Sequence, residues 1–395
     1  MIYDCIIIGA GAAGLYCSSS FQRPVKGLIL EKTKRPGTKL LMSGGGQCNV
    51  THGGSIKDFI GCYGKNGSKV RSCLYKYNNL QLMEFLHDGG VETITREDGK
   101  VFPKSMDAQD ILNLLLTKSR QNGFALKYES PVETIRKTEA GLWQVAASEN
   151  VYQCRNLVIA TGGCSYPSTG SDGAMFSVLQ RELDLEITEL RPALAPVNVF
   201  DYPYKELAGL AFESVHLSVW RNDKKITEGI GDLLFTHENF SGPLFLNFSK
   251  DITINDKIML NYLYPCDKII AMERISNAVQ NSKMNLQNIL SKEMHLPKSF
   301  LQIVVNETGN KLKAIASKLT ADTFIVNRVE GYHKAMVTSG GISLKEVNPK
   351  TMELKRYPHL YAIGEVLDID GWTGGYNLQF AYSSARAASG NITTT

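Results

Sequence analysis

The sequence predicts an α/β protein in which a parallel-sheet domain is split by an inserted antiparallel β-barrel and a small helical subdomain. Three observations carry this. The first 31 residues hold a strand–glycine turn–helix–strand unit. Between about 191 and 265 the pattern changes to short alternating segments separated by turn residues. From about 335 buried-strand character returns and runs into a glycine-rich turn and a last helix. The boundaries that follow are 1–190 plus 330–395 for the split domain, 191–265 for the barrel and 266–329 for the helical cap.

The opening unit comes first. Cys5-Ile-Ile-Ile8 is an apolar strand, Gly9-Ala-Gly11-Ala-Ala-Gly14 a turn into a small-residue helix, and Leu28-Ile-Leu30 a second strand closing on Glu31. Gly9 permits the tight turn, Gly11 lets backbone approach a pyrophosphate, and Gly14 lets the helix pack close to the sheet. The helix start through Ala12 and Ala13 offers free N–H groups and a positive dipole end to phosphates. Glu31 accepts hydrogen bonds from a ribose and repels a 2′-phosphate, so the unit suits FAD or NAD rather than NADP.

Residues 33–66, rich in Gly, Lys, Ser and Asn, read as a long functional loop. Helices are expected at 69–76 and 79–88, strands at 91–95 and 101–102, and an amphipathic helix from Asp107 to Asn122. Segments 124–128, 132–136 and 142–147 read as a β-meander, and Leu157–Ala160 as a buried parallel strand. The barrel is expected from segments near 194–199, 213–220, 225–229, 243–248 and 257–263. Residues 266–325 read as helical and polar.

Two later stretches turn a dinucleotide into FAD. Leu157-Val-Ile-Ala-Thr161-Gly162 is a strand ending in Ala-Thr-Gly, which closes the cofactor site from a neighbouring strand. Leu360-Tyr-Ala-Ile-Gly364-Glu365 delivers an acidic side chain toward ribityl hydroxyls. Gly374-Gly375-Tyr376-Asn377-Leu378 then opens a helix whose N-terminus faces the flavin N1–C2 carbonyl edge. No second strand–GxGxxG–helix appears between 190 and 335, so either NAD(P)H docks transiently as electron donor or the substrate itself reduces the flavin.

Composition narrows the class. Hydrophobic content of 43% and charged content of 21% are those of a soluble globular protein, and the net charge of +4 is small and unclustered, which argues against a nucleic-acid partner. Eight cysteines without a CxxC pair fit a reducing cytoplasm. There is no apolar span of membrane length and no metal-ligand cluster. Oligomeric state is open.

Lys39-Leu-Leu-Met-Ser43-Gly-Gly-Gly46-Gln-Cys48-Asn49-Val-Thr51, Leu234-Phe-Thr-His237 with Ser241-Gly-Pro243, and Gly364-Glu365 through Asn377 resemble a family of bacterial NAD(P)/FAD-dependent oxidoreductases. That family includes aminoacetone oxidases and bile-acid-inducible dehydro-bile-acid reductases. The resemblance runs over the whole chain. It implies a FAD-binding Rossmann-type (two-dinucleotide-binding-like) domain with an inserted barrel and helical subdomain. One departure is Gln47, where the family usually has arginine, so a fixed cation is lost from that position.

The cofactor set expected is Gly9, Gly11, Ala12, Ala13, Gly14, Glu31, Lys32, Lys39, Ser43, Gly44, Gly45, Asn49, Val132, Thr161, Gly162, Gly364, Glu365, Gly375, Tyr376, Asn377 and Leu378. The candidate catalytic residues are His237, histidine being the side chain suited to acid–base work near neutral pH, Tyr376 as proton donor, and Cys48. The expected activity is a hydride transfer through flavin N5, with non-covalent FAD, that reduces an activated, enone-type C=C of a small molecule. The alternatives are a flavin oxidase of a small amine or aminoketone using O₂, and a non-catalytic flavin sensor or interaction protein.

Overall fold

The computed structural model describes residues 1–392. It divides into two compact units, one formed by Met1–Pro192 with the segment from Met336 onward, the other by Ala193–Ala335.

The first unit is built on a seven-stranded sheet. Its order is Phe124–Lys127, Gly27–Leu30, Ile2–Ile8, Asn150–Ile159, Trp143–Ala147 and Val132–Lys137, and Leu360–Ala362 also pairs with Asn150–Ile159. The central strands run parallel, Ile6 opposite Leu28 on one side and Leu157 on the other. Their paired cores, residues 5–8, 28–30 and 157–159, are apolar at every position because helices cover both faces of a parallel sheet. Asn150–Ile159 changes partner along its length: its first half pairs antiparallel with Trp143–Ala147, and its second half is buried between parallel neighbours.

Two expectations for this unit are corrected. Phe124–Tyr128 is not the first strand of a meander. Phe124–Lys127 joins the sheet parallel to Gly27–Leu30, reached by the crossover helix Ala108–Gln121. Gly27 is bare because the Phe124 ring fills the space, 2.4 Å from where a Cβ would stand. Nor is 33–66 one loop. It contains the helices Thr38–Met42 and Ile56–Cys62, a one-turn 3₁₀ segment Ser43–Gly46, and the strand Thr51–His52. Elements this short lie below the window in which periodicity is readable. Thr51–His52 pairs with Lys100–Pro103, which pairs with Thr93–Thr95.

The second unit is a closed barrel in the order Val197–Val199, Phe240–Ser241, Lys224–Phe235, Ala211–Arg221, Lys257–Asn261 and Asp322–Val329. Two boundaries move. Residues 243–248 form a helix, Gly242–Phe248, entered through Gly242 at φ +86° and a proline in the first turn, where a missing N–H costs nothing. Asp322–Val329 is the closing barrel strand rather than the end of the cap, with Asp322, Phe324 and Val326 turned inward. Four helices, Lys268–Gln280, Leu286–Met294, Lys298–Thr308 and Leu312–Thr320, precede it. They share one core with the barrel: the Phe300 ring lies 4.9 Å from Phe212 and 4.7 Å from Tyr262. Buried in that core, the Asp322 carboxylate accepts from Tyr204 and Tyr262 hydroxyls and from Lys318.

Candidate active site

The dinucleotide turn is built by subtraction of side chains. Gly9 adopts φ +102°, and a Cβ there would stand 2.6 Å from Ala160 O. At Gly14 a Cβ would meet Gly9 O at 2.0 Å, so only glycine lets helix Ala12–Ser19 sit against the turn. Around Gly11 nothing lies within 4 Å of a Cβ position. That open space adjoins the start of a helix with no side-chain cap, so the first N–H groups, among them those of Ala12 and Ala13, have no partner within the helix.

Glu31 closes the far side. It is 7% exposed, its Oε2 accepts from Ala10 N at 2.8 Å, and its Oε1 accepts from Thr33 N and Oγ1, both at 2.8 Å. Each carboxylate oxygen has two lone pairs, so the side chain is fixed while keeping acceptor capacity for a ribose. Lys32 pairs with Asp172 at 2.6 Å, and Ser130 N donates to Glu31 O, which brings the strand starting at Val132 beside the acid. Gly162, at φ +72°, turns the neighbouring strand away. Thr161 Oγ1 before it is buried without a hydrogen-bond partner among the described residues. A Cβ on Gly364, at φ +69°, would lie 2.6 Å from the Ala13 methyl, so the third strand end meets the first helix. An open cradle, uncapped N–H groups and an orphaned hydroxyl at converging strand ends fit FAD.

The next shell is a polar knot that sequence reasoning only half found. Lys39 Nζ donates to both Glu365 oxygens, at 3.1 and 2.8 Å, and to Ser165 Oγ at 2.7 Å. Ser165 Oγ and Thr338 N each donate to Glu365 Oε1 at 2.8 Å. Thr338 Oγ1 accepts from Cys164 N at 2.7 Å and from Ser165 N at 3.1 Å. Lys39 is therefore not a solvated loop lysine. Ser165 follows the Ala-Thr-Gly turn closely enough to have been noticed. Thr338 carries no sequence signal, because a distant strand delivers it.

The third part is an aromatic wall. Gly44 and Gly45 take left-handed conformations, φ 58° and 66°, leaving a loop without side chains, while Ser43 Oγ donates to Leu40 O. Asn49, its amide oriented to suit its neighbours, donates to Thr51 O and Val101 O and accepts from Gly375 N at 3.1 Å. A Cβ on Gly375 would stand 2.5 Å from Thr51 O, and Gly375 opens the helix Tyr376–Ser389 with no side-chain cap. The Tyr376 ring stacks on His52 at 5.6 Å and meets Phe59 edge-on at 5.0 Å, and its backbone carbonyl accepts from Tyr63 OH. Burial, and then the hydrogen-bonded Cys62 thiol, push the Tyr376 hydroxyl well above its ordinary pKa. Asn377 is committed elsewhere: its amide both accepts from Gly371 N and donates to Gly371 O, at 2.8 Å each, bracing the turn before the helix. Leu378 packs on the core.

Of the three catalytic candidates, Tyr376 stands in this wall. Cys48 is fully buried at φ +60°, and burial pushes its thiol up to about 11, which favours the neutral form over the thiolate. His237 lies exposed in the second unit, in a turn that Thr236 and Asn239 brace through their own side chains. His52, Tyr63 and Cys62 were not foreseen, because each sits in the stretch read as loop.

A Rossmann-type sheet with this cradle, carried with an antiparallel barrel, defines an oxidoreductase of the FAD-binding class, and the chain is an enzyme of that class. It belongs to the HI0933-like protein Rossmann domain family, which matches residues 3–391. It is 33% identical over 408 residues to the ribosomal RNA dihydrouridine synthase of Escherichia coli (strain K12), covering 99% of this chain and 98% of that one. It is 25% identical to the 3-dehydro-bile acid delta(4,6)-reductase of Clostridium scindens, over 97% of each. Among solved structures, the 3-ketosteroid-delta4-(5alpha)-dehydrogenase of Rhodococcus jostii shares the fold with a TM-score of 0.52 at 13% identity, covering 98% and 96% of the two chains. No helix among the described residues is long and apolar enough to cross a membrane, and no group of three metal-ligating side chains occurs among them.

Proposed function

We propose that the chain binds FAD non-covalently and reduces an activated C=C, and that its substrate is a uridine of ribosomal RNA. The observation that carries the RNA substrate is the 33% identity, over nearly the whole of both chains, to an enzyme named for making dihydrouridine in ribosomal RNA. The uracil C5=C6 bond is conjugated to the C4 carbonyl, so it is the enone-type bond expected from the sequence, carried on a macromolecule rather than a small molecule. This reading sets aside the expectation of no nucleic-acid partner.

Bound FAD supplies hydride transfer through N5. The overall reaction adds one hydride and one proton across the C=C and consumes one NAD(P)H, which returns as NAD(P)⁺. The chain's own part is to hold and to protonate. The Gly9–Gly14 turn and Glu31 bind the dinucleotide. Lys39 and Glu365 lock each other beside it. Tyr376, protonated at neutral pH like any tyrosine and held further from ionisation by its burial, is a neutral O–H donor at the wall, and His237 is the second candidate acid. The relatedness to a bile-acid reductase supports a second reading in which the activated bond belongs to a small enone.

The test is reduction in vitro. The FAD-loaded protein, NADH or NADPH, and an unmodified ribosomal RNA transcript should yield a uridine with a two-hydrogen mass gain. A transcript left unchanged, while a steroid enone is reduced under the same conditions, would move the assignment to the small molecule. Flavin bleaching by an amine, with turnover only in O₂, would establish the oxidase instead.

A further inference from the structure

We infer that Arg96, aimed by Gln47, is a substrate-recognition residue that grips a phosphate of the RNA strand next to the target uridine. The inference rests on the ribosomal RNA reading above and names a residue that neither the motifs nor the family assignment supplies.

The loop from Met42 to Asn49 carries no charged side chain. A cation reaches it from elsewhere. Arg96 begins the tight turn between strands Thr93–Thr95 and Lys100–Pro103, its N donating to Lys100 O and its O accepting from Gly99 N, both at 2.9 Å. Its backbone is thus pinned at both ends. The guanidinium lies 3.9 Å from the centroid of the Phe102 ring, and Nη2 donates to Gln47 Oε1 at 2.7 Å and contacts Met106 Sδ at 3.7 Å. Phe102 also supports the glycine loop, since a Cβ on Gly44 would be 3.4 Å from its Cε1. One aromatic face therefore carries both the bare Gly44–Gly46 loop and the arginine.

What Arg96 lacks is an ion pair of its own: Asp98, the acid of the same turn whose carboxyl its charge helps to hold low, is paired with Lys100. The other cations of this hairpin have theirs: Lys100 pairs with Asp98 at 2.6 Å and Lys104 with Glu92 at 2.7 Å. No carboxylate among the described residues lies within ion-pair distance of the Arg96 guanidinium. Gln47 is a neutral acceptor, so it orients the group without neutralising it. A guanidinium has five N–H donors in a planar fork that matches a phosphate bidentately, and here one of the five is committed to a protein oxygen. The residue is exposed, yet held on a ring and against a glutamine, which lowers the ordering cost that usually weakens a surface arginine. A nucleotide whose uracil is presented at this site carries its phosphate on the same sugar, and the side-chain-free glycine loop lets a strand come close.

The experiment uses the FAD-loaded protein and reads flavin absorbance on titration with a short uridine-containing RNA, with UMP and with uridine. Arg96→Ala should weaken the RNA and UMP by about ten- to a hundredfold, leave uridine unchanged, and flatten the salt dependence of RNA binding by about one phosphate contact. Arg96→Lys should recover only part of the loss, because it restores charge without the fork. Gln47→Ala should give a smaller loss with the same selectivity for phosphate-bearing ligands. Flavin content and melting temperature of Arg96→Ala should match the parent, as the side chain is exposed. If Arg96→Ala binds RNA with the parent's affinity and salt slope, the inference is overturned while the RNA reading stands. Equal weakening of uridine and UMP also overturns it, by placing Arg96 on the base or in the fold of the loop. A parent that binds no RNA fails the substrate reading itself and takes this inference with it.

Discussion

At the Gly9–Gly14 turn the site is made of backbone from which side chains have been removed, whereas around Tyr376 it is made of side chains packed edge to face. The first region exposes N–H groups and leaves room: nothing stands within 4 Å of a Gly11 Cβ position. The second fills space, with His52, Phe59 and Tyr63 gathered on one ring. A dinucleotide is the same molecule in every enzyme that uses it, so a local turn is enough to recognise it. A wall proposed to face a substrate must be shaped for one reaction, and its parts come from wherever the fold delivers them.

The comparison breaks first at Tyr376 if the wall is only packing. Tyr376→Phe keeps the ring and its stacking while removing the O–H. If that hydroxyl delivers the proton, substrate reduction should fall by about 10²–10⁴ while flavin reduction by NAD(P)H stays near the parent rate. His237→Ala, made in parallel in the other unit, tests the second candidate acid by the same two half-reactions in stopped flow. A large loss in one variant assigns the acid. Parent-like behaviour in both would leave the proton to solvent and reduce the wall to shape alone.

The cradle offers a sharper contrast within itself. Gly14→Ala places a methyl 2.0 Å from Gly9 O, so backbone must move, and the protein should lose about 1–3 kcal/mol of stability whether or not flavin is present. Gly11→Val places its Cβ where no protein atom lies within 4 Å, so the flavin-free protein should melt with the parent while the flavin is lost on gel filtration. Thermal melts of both apoproteins and flavin absorbance after filtration separate the two effects. Full flavin retention by Gly11→Val would remove the pyrophosphate from that space.

The same division governs what the sequence reveals. Gly9, Gly14, Glu31 and Thr161 are legible because their roles are local: a strand end, a turn, a helix start. The split of the sheet domain around an insert is legible too, as a change of period near 191. Asp322–Val329 was missed because its partners Val197–Val199 and Lys257–Asn261 are far away in sequence, and four helices precede it. The Thr338 backbone N–H on Glu365, and the Arg96 guanidinium on Gln47, are contacts between residues 27 and 49 positions apart, and no pattern of spacing announces them. Asn377 was placed on the cofactor by its motif, but it spends its hydrogen bonds on Gly371.

Cys48 marks the limit of the comparison, since a side chain with reactive chemistry is fully buried there. Its thiol is fully buried and pushed up to about 11 by that burial, only partly offset by a hydrogen bond with Ser43. Raising the pKa of a thiol favours the neutral form, so at pH 7–8 almost none is thiolate, and the thiolate is the form that attacks an alkylating reagent. Native protein treated with iodoacetamide near neutral pH should leave Cys48 unmodified, while denatured protein is labelled there readily, as peptide mass mapping would show. Cys48→Ala should keep turnover close to the parent and cost only the packing of a small buried side chain, about 1 kcal/mol. Rapid labelling of Cys48 in the native state, together with loss of turnover in the alanine variant, would show that the Ser43–Asn49 loop opens and that this thiol belongs with the reacting groups.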